Sequence, residues 1–387
     1  MLSIIFMVPI YLDNNATTPV DPEVLRAMLP YFTDHFGNAA SRNHAFGWAA
    51  EEAVQQAREQ VATLLHAEAD EIIFTSGATE AINLAIKGTY EIHGGGDQHI
   101  ITCATEHKAV LDTCGHLEKS GASVTYLPVN REGLINIKDL ESAIQQNTVL
   151  IAVMYANNET GVVQPVAEIA AIAKQKGIVF FTDATQAVGK IPVDVNQCGI
   201  GMLCLSAHKM YGPKGVGALY IRRKNPRVRL TAQIDGGGHE KGMRSGTLNV
   251  PGIAALGKAC ALCATYMPHE SLHLKELRDK LENALLSIDG VSVNGTPAHR
   301  LPHVSNLSFS KIKGNNLLTE ISKTIAVSSG SACTSANPAP SHVLKAMGVE
   351  DGVAKNAIRF GLGRCTTEAE IDYTIQKVTG IVTGMKA

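Results

Sequence analysis

Hydrophobic and polar positions alternate along the first two thirds of the chain in a pattern that predicts strands separated by helices. Short apolar runs predict strands at 71–75, 99–103, 123–127, 149–155, 178–182, 202–205 and 218–221. Amphipathic segments between them predict helices at 78–87, 110–120, 137–146 and 167–175. This alternation is typical of βαβ units, so we predict an α/β fold with a mainly parallel, seven-stranded sheet.

The pattern differs on both sides of this segment. Before it, a short strand and polar turn are predicted within 10–18, followed by helices at 22–31, capped by Asp21, and at 48–65. After Asn249 we predict helices at 250–266 and 272–287, strands at 291–293, 304–309 and 325–328, and helices near 317, 343 and 367. We therefore predict a large domain over 16–262 and a smaller α+β domain formed by 1–15 and 263–387.

Composition narrows the class of protein without deciding its chemistry. The chain has 387 residues, of which 45% are hydrophobic and 18% charged, so a large core is expected and disorder is not. Its formal net charge of -2 gives no reason to expect nucleic acid or an anionic membrane as a partner. No apolar run reaches the roughly 20 residues of a spanning helix, and the first ten residues lack the basic residues of a secretory signal. Eight cysteines without a dense framework favour a reducing compartment, and we expect a cytoplasmic protein.

Candidate chemistry first appears at Lys209, where the predicted strand 202–205 ends in Ser206, Ala207 and His208. A lysine amine in such a place can bond covalently to an aldehyde cofactor, and the neighbouring polar groups can hold an anion. Taken alone, Lys209 is better explained as an ordinary surface lysine after a strand.

Polar residues also follow the other predicted strands, and parallel strands deliver such residues to one edge of a sheet. Ala78 and Thr79 begin a helix after strand 71–75, where backbone N–H groups suit a phosphate. The other polar residues at strand ends are His107, Asn158, Asp183 and Gln186. Each could be a turn or cap residue, but together they fit pyridoxal phosphate (PLP). Asp183 would pair with the pyridine nitrogen, His107 would stack on the ring, and Asn158 and Gln186 would hydrogen-bond the ring substituents.

Several motifs resemble those of the NifS/IscS-type cysteine desulfurases, which belong to the fold type I group of PLP-dependent enzymes. They include YLDNNATTP at 11–19, TSGATEAIN at 75–83, SAHKMYGPKGVGALY at 206–220, MRSGTLNVPG at 243–252 and SSGSACTS at 328–335. The resemblance covers almost the whole chain. It implies the PLP-dependent transferase fold type I, and removal of sulfur from L-cysteine to give L-alanine.

The resemblance also assigns roles to single residues. It implies that Lys209 holds the cofactor covalently, and that Ala78, Thr79, Ser206 and His208 hold its phosphate. It implies that Thr247 reaches the phosphate of the other subunit's cofactor, and therefore a homodimer. Arg359 resembles the arginine that, with Asn158, binds the substrate, and a guanidinium suits its carboxylate.

Cys333 is the second predicted chemical centre. It lies among small residues in a loop over about 328–340 that has no hydrophobic periodicity, which argues against a buried thiol. The resemblance makes Cys333 the nucleophile, with Lys209 and His107 as the other catalytic residues. Sulfur would leave as a persulfide on Cys333 for iron–sulfur cluster assembly, and also for tRNA thiolation. No intrinsic metal is expected, although Cys333 could serve as a transient iron–sulfur ligand with a scaffold protein.

Two rivals share this chemistry, and two departures from the family pattern stand out. A selenocysteine lyase would share every cofactor residue, and an aminotransferase of the same fold would not need Cys333. Asn14-Asn15 follows the nitrogen-fixation-type pattern, whereas SRNHAFGWAAEEAV at 41–54 resembles the housekeeping type, so both pathways stay open. Gly361 and Cys365 occupy positions where a serine and an aromatic residue are expected. The local packing around Gly361 is therefore a question for the structure.

Overall fold

The computed structural model describes residues 9–312, 316–329 and 340–385. Its strands are β1 Ile10–Tyr11, β2 Ile72–Thr75, β3 His99–Cys103, β4 Ser123–Leu127, β5 Thr148–Ala152, β6 Val179–Asp183, β7 Met202–Ser206, β8 Gly217–Ile221, β9 Val291–Val293, β10 Val304–Phe309, β11 Ile325–Ala326 and β12 Ala357–Gly361. Its α-helices are α1 Pro22–Met28, α2 Pro30–Thr33, α3 Ala45–Leu65, α4 Ala78–Ile92, α5 Lys108–Glu118, α6 Ile137–Ala143, α7 Val166–Lys176, α8 Val250–Leu286, α9 Leu317–Ser322, α10 His342–Ala346, α11 Asp351–Lys355 and α12 Glu368–Met385.

The predicted seven-stranded sheet is present, in the order β2-β8-β7-β6-β5-β3-β4. Only β8 runs antiparallel to its neighbours β2 and β7, and the other pairs are parallel. The mainly parallel α/β fold is therefore confirmed. Its parallel strands end at one edge, where β6 finishes at Asp183 and β7 finishes at Ser206.

Both faces of this sheet are covered, because side chains of one strand alternate between two hydrophobic clusters. Ile72 belongs to the cluster that includes α3, α7 and the first part of α8, whereas Ile73 belongs to the cluster formed with α4 and α5. Strands buried on both faces read as continuous apolar runs, as parallel sheets require. Burial on two sides holds the strand ends, and the residues that follow them, in fixed positions.

The prediction of two helices over 250–287 is wrong, because α8 is one continuous helix of 37 residues. Pro268 lies inside it and removes one backbone hydrogen bond, which normally ends or kinks a helix. Packing on both sides of Pro268 compensates, since Cys263 is buried against the large sheet and Leu274 against a second cluster. Conversely, the helix predicted over 22–31 divides at Pro30 into α1 and α2.

Helix α8 also meets the length and apolar composition of a membrane span, contrary to the expectation that no such run exists. In the relevant window 56% of the residues are buried inside the protein. A core helix of a soluble protein meets the same test.

Residues after α8 build a smaller sheet in the order β12-β10-β9, all antiparallel. Strand β12 was not predicted, because Arg359 interrupts its apolar run. Every residue of β12 is buried, so its sequence also lacks the alternation of apolar and polar residues that marks a half-exposed strand. The second half of α8 packs with this sheet and α12 in a separate hydrophobic cluster that also contains Leu12. The hydrophobic partners of α8 thus change between Cys263 and Leu274, and the division into domains at 262/263 stays a prediction.

Candidate active site

A cavity of about 750 Å³ lies at the edge where the parallel strands end. Ten predicted site residues line it: Ala78, Thr79, His107, Asn158, Asp183, Gln186, Ser206, His208, Lys209 and Arg359. They come from segments far apart in the chain, and the sheet brings them together. Thr247 is exposed and is not among the residues that line this cavity, and Cys333 lies outside the described residues.

Lys209 closes a short 3-10 helix that follows β7, and its amine reaches into the first polar turn of the chain. Its Nζ donates hydrogen bonds to the carbonyl oxygens of Asn15, at 2.6 Å, and Ala16, at 2.7 Å. Burial lowers the pKa of Lys209 to about 8, helped by the positive charge of Arg359 and opposed by Asp183 and Asp13. A neutral amine is therefore accessible near neutral pH, as a nucleophilic lysine requires.

The N-terminus of α4 forms the anion-binding side of the cavity. Its N-cap residue, Gly77, has φ +152° and provides no side-chain cap, so the first N–H groups of the helix stay available for an anion. A side chain at Gly77 would be strained, and Gly217 allows the close approach, because a Cβ there would lie 2.8 Å from Gly77 Cα. Ser206 lies beside Gly77 and lines the same cavity.

His208 is the predicted phosphate residue with the strongest change in acidity. Burial lowers the pKa of its imidazole to about 4, and the charges of Lys209 and Lys214 act in the same direction. Its Nδ1 lies 3.2 Å from the hydroxyl oxygen of Thr17. His208 is therefore neutral at pH 7 in the protein without an anion, and it can contribute a hydrogen bond but no charge.

Asp183 ends β6 with one carboxylate oxygen already bonded to the protein. Its Oδ1 accepts hydrogen bonds from the backbone N–H of Thr185, at 3.0 Å, and from the thiol of Cys204, at 3.3 Å. No hydrogen bond from a described residue to Oδ2 is present in the structure, so this oxygen can serve a ligand in the cavity. A carboxylate held this way has its orientation fixed before a ligand arrives.

His107 caps the N-terminus of α5 and exposes its ring to the cavity. Its Nδ1 accepts a hydrogen bond from the backbone N–H of Ala109 at 3.1 Å, so the proton of the neutral ring is on Nε2. Protein packed around the other side of the ring lowers the pKa of His107, opposed by Asp183 and assisted by Lys209. The ring is therefore neutral at pH 7, as stacking on an aromatic ligand favours.

Arg359 lies in the middle of β12 and is only 4% exposed. Its Nη2 donates to Asp13 Oδ1 at 2.6 Å, and its Nη1 donates to the carbonyl oxygen of Asn158 at 2.8 Å. Its Nε is buried and has no hydrogen-bond partner among the described residues. Arg359 lines the cavity, and its bonds to Asp13 and Asn158 use two of its five N–H donors, so its guanidinium is suited to a ligand carboxylate.

Asn15 connects several of these residues and was not predicted as a site residue. Its carbonyl oxygen accepts from Lys209 and from Gln186 Nε2, the latter at 3.0 Å, and its own Nδ2 donates to Gln186 Oε1 at 3.3 Å. It also explains Gly361, where a Cβ would lie 2.3 Å from Asn15 Oδ1. Gly361 and Asn15 therefore fit each other, which answers the question raised by the departure at position 361.

Glu106, Asp13 and Lys214 are further residues that sequence reasoning missed. Glu106 is fully buried, where burial and the nearby charge of Asp183 raise the pKa of its carboxyl group well above the ordinary value. Its Oε1 accepts a hydrogen bond from the backbone N–H of Met154 at 2.7 Å. The polar run DNNATT at 13–18 was a usable signal for Asp13, whereas nothing in the sequence signals the burial of Glu106.

The described residues on either side of Cys333 lie at or near the cavity. Ser328 lines it and exchanges backbone hydrogen bonds with Arg359, at 2.7 and 3.4 Å. On the other side, the hydroxyl of Ser341 donates to the buried carboxylate of Glu159, and His342 Nε2 lies 3.0 Å from the carbonyl oxygen of Glu106. Both flanks of the predicted catalytic loop are thus attached to the same part of the molecule.

Other reactive groups are accounted for by packing. Cys260 and Cys263 are buried in the core, and burial raises the pKa of both thiols, so this pair serves packing. Among the described ranges 9–312, 316–329 and 340–385, no group of three or more His, Cys, Asp or Glu side chains could hold a metal ion.

The donor set of the cavity fits PLP. An uncapped helix N-terminus beside Ser206 and His208 suits a phosphate, and the free oxygen of Asp183 suits a ring nitrogen. Lys209 supplies an amine with a lowered pKa for the aldehyde.

Comparisons with known proteins agree with this geometry. The family model described as Aminotransferase class-V matches residues 10–374. The cysteine desulfurase IscS of Anaeromyxobacter dehalogenans (strain 2CP-C) is 55% identical over 95% of this chain and 91% of its own length. A cysteine desulfurase of Homo sapiens is 52% identical over 95% of this chain and 80% of its own. A solved structure of a NifS-like protein superposes with a TM-score of 0.90 at 37% identity, covering 97% of this chain and all of the other.

Proposed function

This chain belongs to the class-V aminotransferase family, and we propose which of its residues take sulfur from L-cysteine in the cavity. The chain is a PLP-dependent enzyme of the cysteine desulfurase type, since relatives of that name match it at 52% to 55% identity over 95% of its length. One observation carries the assignment of residues. Ten side chains from separate segments meet at one cavity with the donor set that PLP requires.

The cofactor would be held at three places. The N–H groups of Ala78 and Thr79, with Ser206 and His208, would hold its phosphate. Asp183 would hold the ring nitrogen through the carboxylate oxygen that the protein leaves free, and His107 would cover the ring face. Asn158 and Gln186 would contact the ring substituents. When bound, PLP draws electrons from the substrate Cα and so makes its proton easier to remove.

Arg359 would bind the substrate at its carboxylate, and Lys209 would act at its Cα. Arg359 would bind the substrate carboxylate, next to Asn158, with the N–H groups of its terminal nitrogens that Asp13 and Asn158 do not use. Lys209 would be the base that takes the Cα proton, because its pKa of about 8 leaves part of the amine neutral near pH 7. Its hydrogen bonds to Asn15 and Ala16 fix the position of the amine meanwhile.

Cys333 would accept the sulfur. Its thiolate attacks the substrate sulfur, the Cβ–S bond of L-cysteine breaks, and the protein holds a persulfide while the amino acid, after taking up protons, leaves as L-alanine. The balance is one L-cysteine and one thiol giving one L-alanine and one persulfide. Cys333 comes five residues after Ser328, a stretch of chain that spans at most about 18 Å, so Cys333 is tethered within reach of the cavity.

A homodimer is part of this proposal. Six large apolar side chains between α1 and the start of α3 are exposed, which is unusual for a free surface: Leu25, Leu29, Phe32, Phe36, Phe46 and Trp48. Thr247 is also exposed, as a residue that serves a partner's cofactor must be. Light scattering at micromolar concentration should give twice the chain mass of 41.1 kDa, and a monomer would contradict this.

The persulfide would then pass to sulfur acceptors in the cytoplasm. Relatives named IscS make an iron–sulfur scaffold protein the first acceptor to test, followed by the machinery of tRNA thiolation. Cys333 would be the residue that contacts the scaffold protein, and it would also serve as a transient ligand of the iron–sulfur cluster. Nothing in the cavity calls for nucleic acid or a membrane.

The decisive experiment measures L-alanine and sulfide from L-cysteine in the presence of a reductant, together with the visible spectrum of dialysed protein. We expect both products in equal amounts and a cofactor absorbance that Lys209→Ala abolishes. Persistence of the band in Lys209→Ala would show that another lysine holds the cofactor. Selenocysteine in place of cysteine tests the lyase alternative, and amino-group transfer to a keto acid tests the aminotransferase alternative.

A further inference from the structure

Tyr211 lies two residues after Lys209 in an unusual backbone conformation. Its φ is +65°, a region that residues with side chains rarely adopt, and its side chain is buried at 3% exposure. Such a conformation persists only where surrounding contacts hold it, and it is often found beside functional residues. The contacts of Tyr211 therefore indicate what this turn requires.

The side chain of Tyr211 is bonded through both its hydroxyl group and its ring. The hydroxyl oxygen accepts a hydrogen bond from the backbone N–H of Arg364 at 2.6 Å and donates one to Glu270 Oε1 at 3.1 Å. The ring centroid lies 4.2 Å from Arg364 Cζ and 4.2 Å from Lys190 Nζ, both within range of cation–π attraction.

These contacts belong to a charge-balanced group, which we call the Tyr211 cluster: Asp21, Lys190, Tyr211, Glu270 and Arg364. Arg364 Nε donates to Glu270 at 2.8 Å and its Nη1 donates to Asp21 at 2.7 Å. Lys190 is buried, and its Nζ lies 3.6 Å from Glu270 Oε1. Two cations and two carboxylates offset each other around the ring, so the cluster resists the entry of further charge and holds one geometry.

The cluster joins the two chain segments that carry the substrate-binding charges. Tyr211 lies two residues after Lys209, which ends the short 3-10 helix, and Arg364 lies three residues after β12, which carries Arg359. Thr18 fixes the same turn, since its Oγ1 accepts from Tyr211 N at 2.8 Å and its own N–H donates to the carbonyl oxygen of His208 at 2.9 Å. A shift of Arg364 relative to Tyr211 would therefore change the separation of Lys209 and Arg359.

We propose that Tyr211 is a positioning residue that sets Lys209 relative to Arg359 and so favours amino acids over simple amines. This rests on the proposed function, in which an amino acid must meet both residues at once. A simple amine needs only the Lys209 end of the cavity. Loss of the Tyr211 hydroxyl should therefore weaken binding of amino acids and leave binding of simple amines nearly unchanged.

The test uses the PLP-loaded enzyme and follows the cofactor absorbance during titration with L-alanine, the product, and with ethylamine, which lacks the carboxylate. For Tyr211→Phe we expect the half-saturating concentration of L-alanine to rise about tenfold and that of ethylamine to change less than twofold. Tyr220→Phe is the matched control, because Tyr220 is also buried and its hydroxyl has no partner among the described residues. It should change neither titration.

Equal changes for both ligands, or no change for either, in a variant with a normal melting curve would overturn the proposal. Glu270→Gln is the second variant, because it keeps an acceptor for the Tyr211 hydroxyl and removes only one negative charge from the cluster. We expect a rise of about threefold for L-alanine alone. Failure of the proposed function is distinguishable, since the unmodified enzyme would then not respond to L-alanine at all.

Discussion

Replacing Gly361 by serine tests whether the first polar turn and β12 are fitted to each other. A Cβ at position 361 would lie 2.3 Å from Asn15 Oδ1, 3.1 Å from Asn15 N and 3.2 Å from Asn14 N. The first distance is far inside van der Waals contact, so one of the two chain segments must move. Asn15 is 1% exposed and bonded to Lys209 and Gln186, so movement there disturbs the site.

Overpacking of this kind costs about 1–3 kcal/mol, and we expect Gly361→Ser to lower the free energy of unfolding by about 2 kcal/mol. Equilibrium unfolding in urea of the PLP-loaded protein measures it. Adding Asn15→Ala removes the closest contact, so the double variant should recover about 1 kcal/mol relative to the sum of the single changes. Gly380→Ser is the control, because a Cβ at that exposed helical position would have no described atom within 4 Å other than those of its own stretch of helix. A stable Gly361→Ser protein, or strictly additive changes, would refute the reasoning.

Two further predictions concern the cofactor end of the cavity. PLP should load onto the apoprotein faster as pH rises, about tenfold per pH unit below pH 8 and with little change above it. The reason is that only the deprotonated amine of Lys209 attacks an aldehyde, and its pKa is about 8. The growth of visible absorbance measures the loading rate, and a rate that continues to rise toward pH 10 would contradict the lowered pKa. Asp183→Asn should keep the hydrogen bond from Thr185 N but lose the negative charge beside the pyridine nitrogen. A nearby opposite charge shifts a pKa by about 1 to 3, so alanine formation should slow by about ten- to a thousandfold. An unchanged rate in a variant that still binds PLP would show that Asp183 does not act on the ring.

Local sequence patterns were enough to locate the sheet and most of the cavity. The strands β3, β4, β9 and β10 have the predicted bounds, since each is a short apolar run between turn residues. The rule that polar residues at parallel strand ends share one edge then brought His107, Asp183 and Lys209 together.

What the sequence did not reveal depends on contacts between distant segments. Arg359 was taken from the family resemblance, but β12 and the ion pair with Asp13, 346 residues away, have no local signal. The same holds for Asn15 against Gly361 and for Arg364 against Tyr211. Pro268 gave the opposite error, because tertiary packing carries α8 through a residue that locally ends helices.

The central claim is that Cys333 takes sulfur from a substrate held at the PLP cavity, and Cys333→Ser tests it most directly. Sulfide and L-alanine are measured from L-cysteine with a reductant, alongside the visible spectrum, with Cys365→Ser as a control for loss of an exposed thiol. We predict an unchanged cofactor absorbance and loss of both products in Cys333→Ser, and full activity in Cys365→Ser. Sulfide release at the unmodified rate from Cys333→Ser would contradict the account.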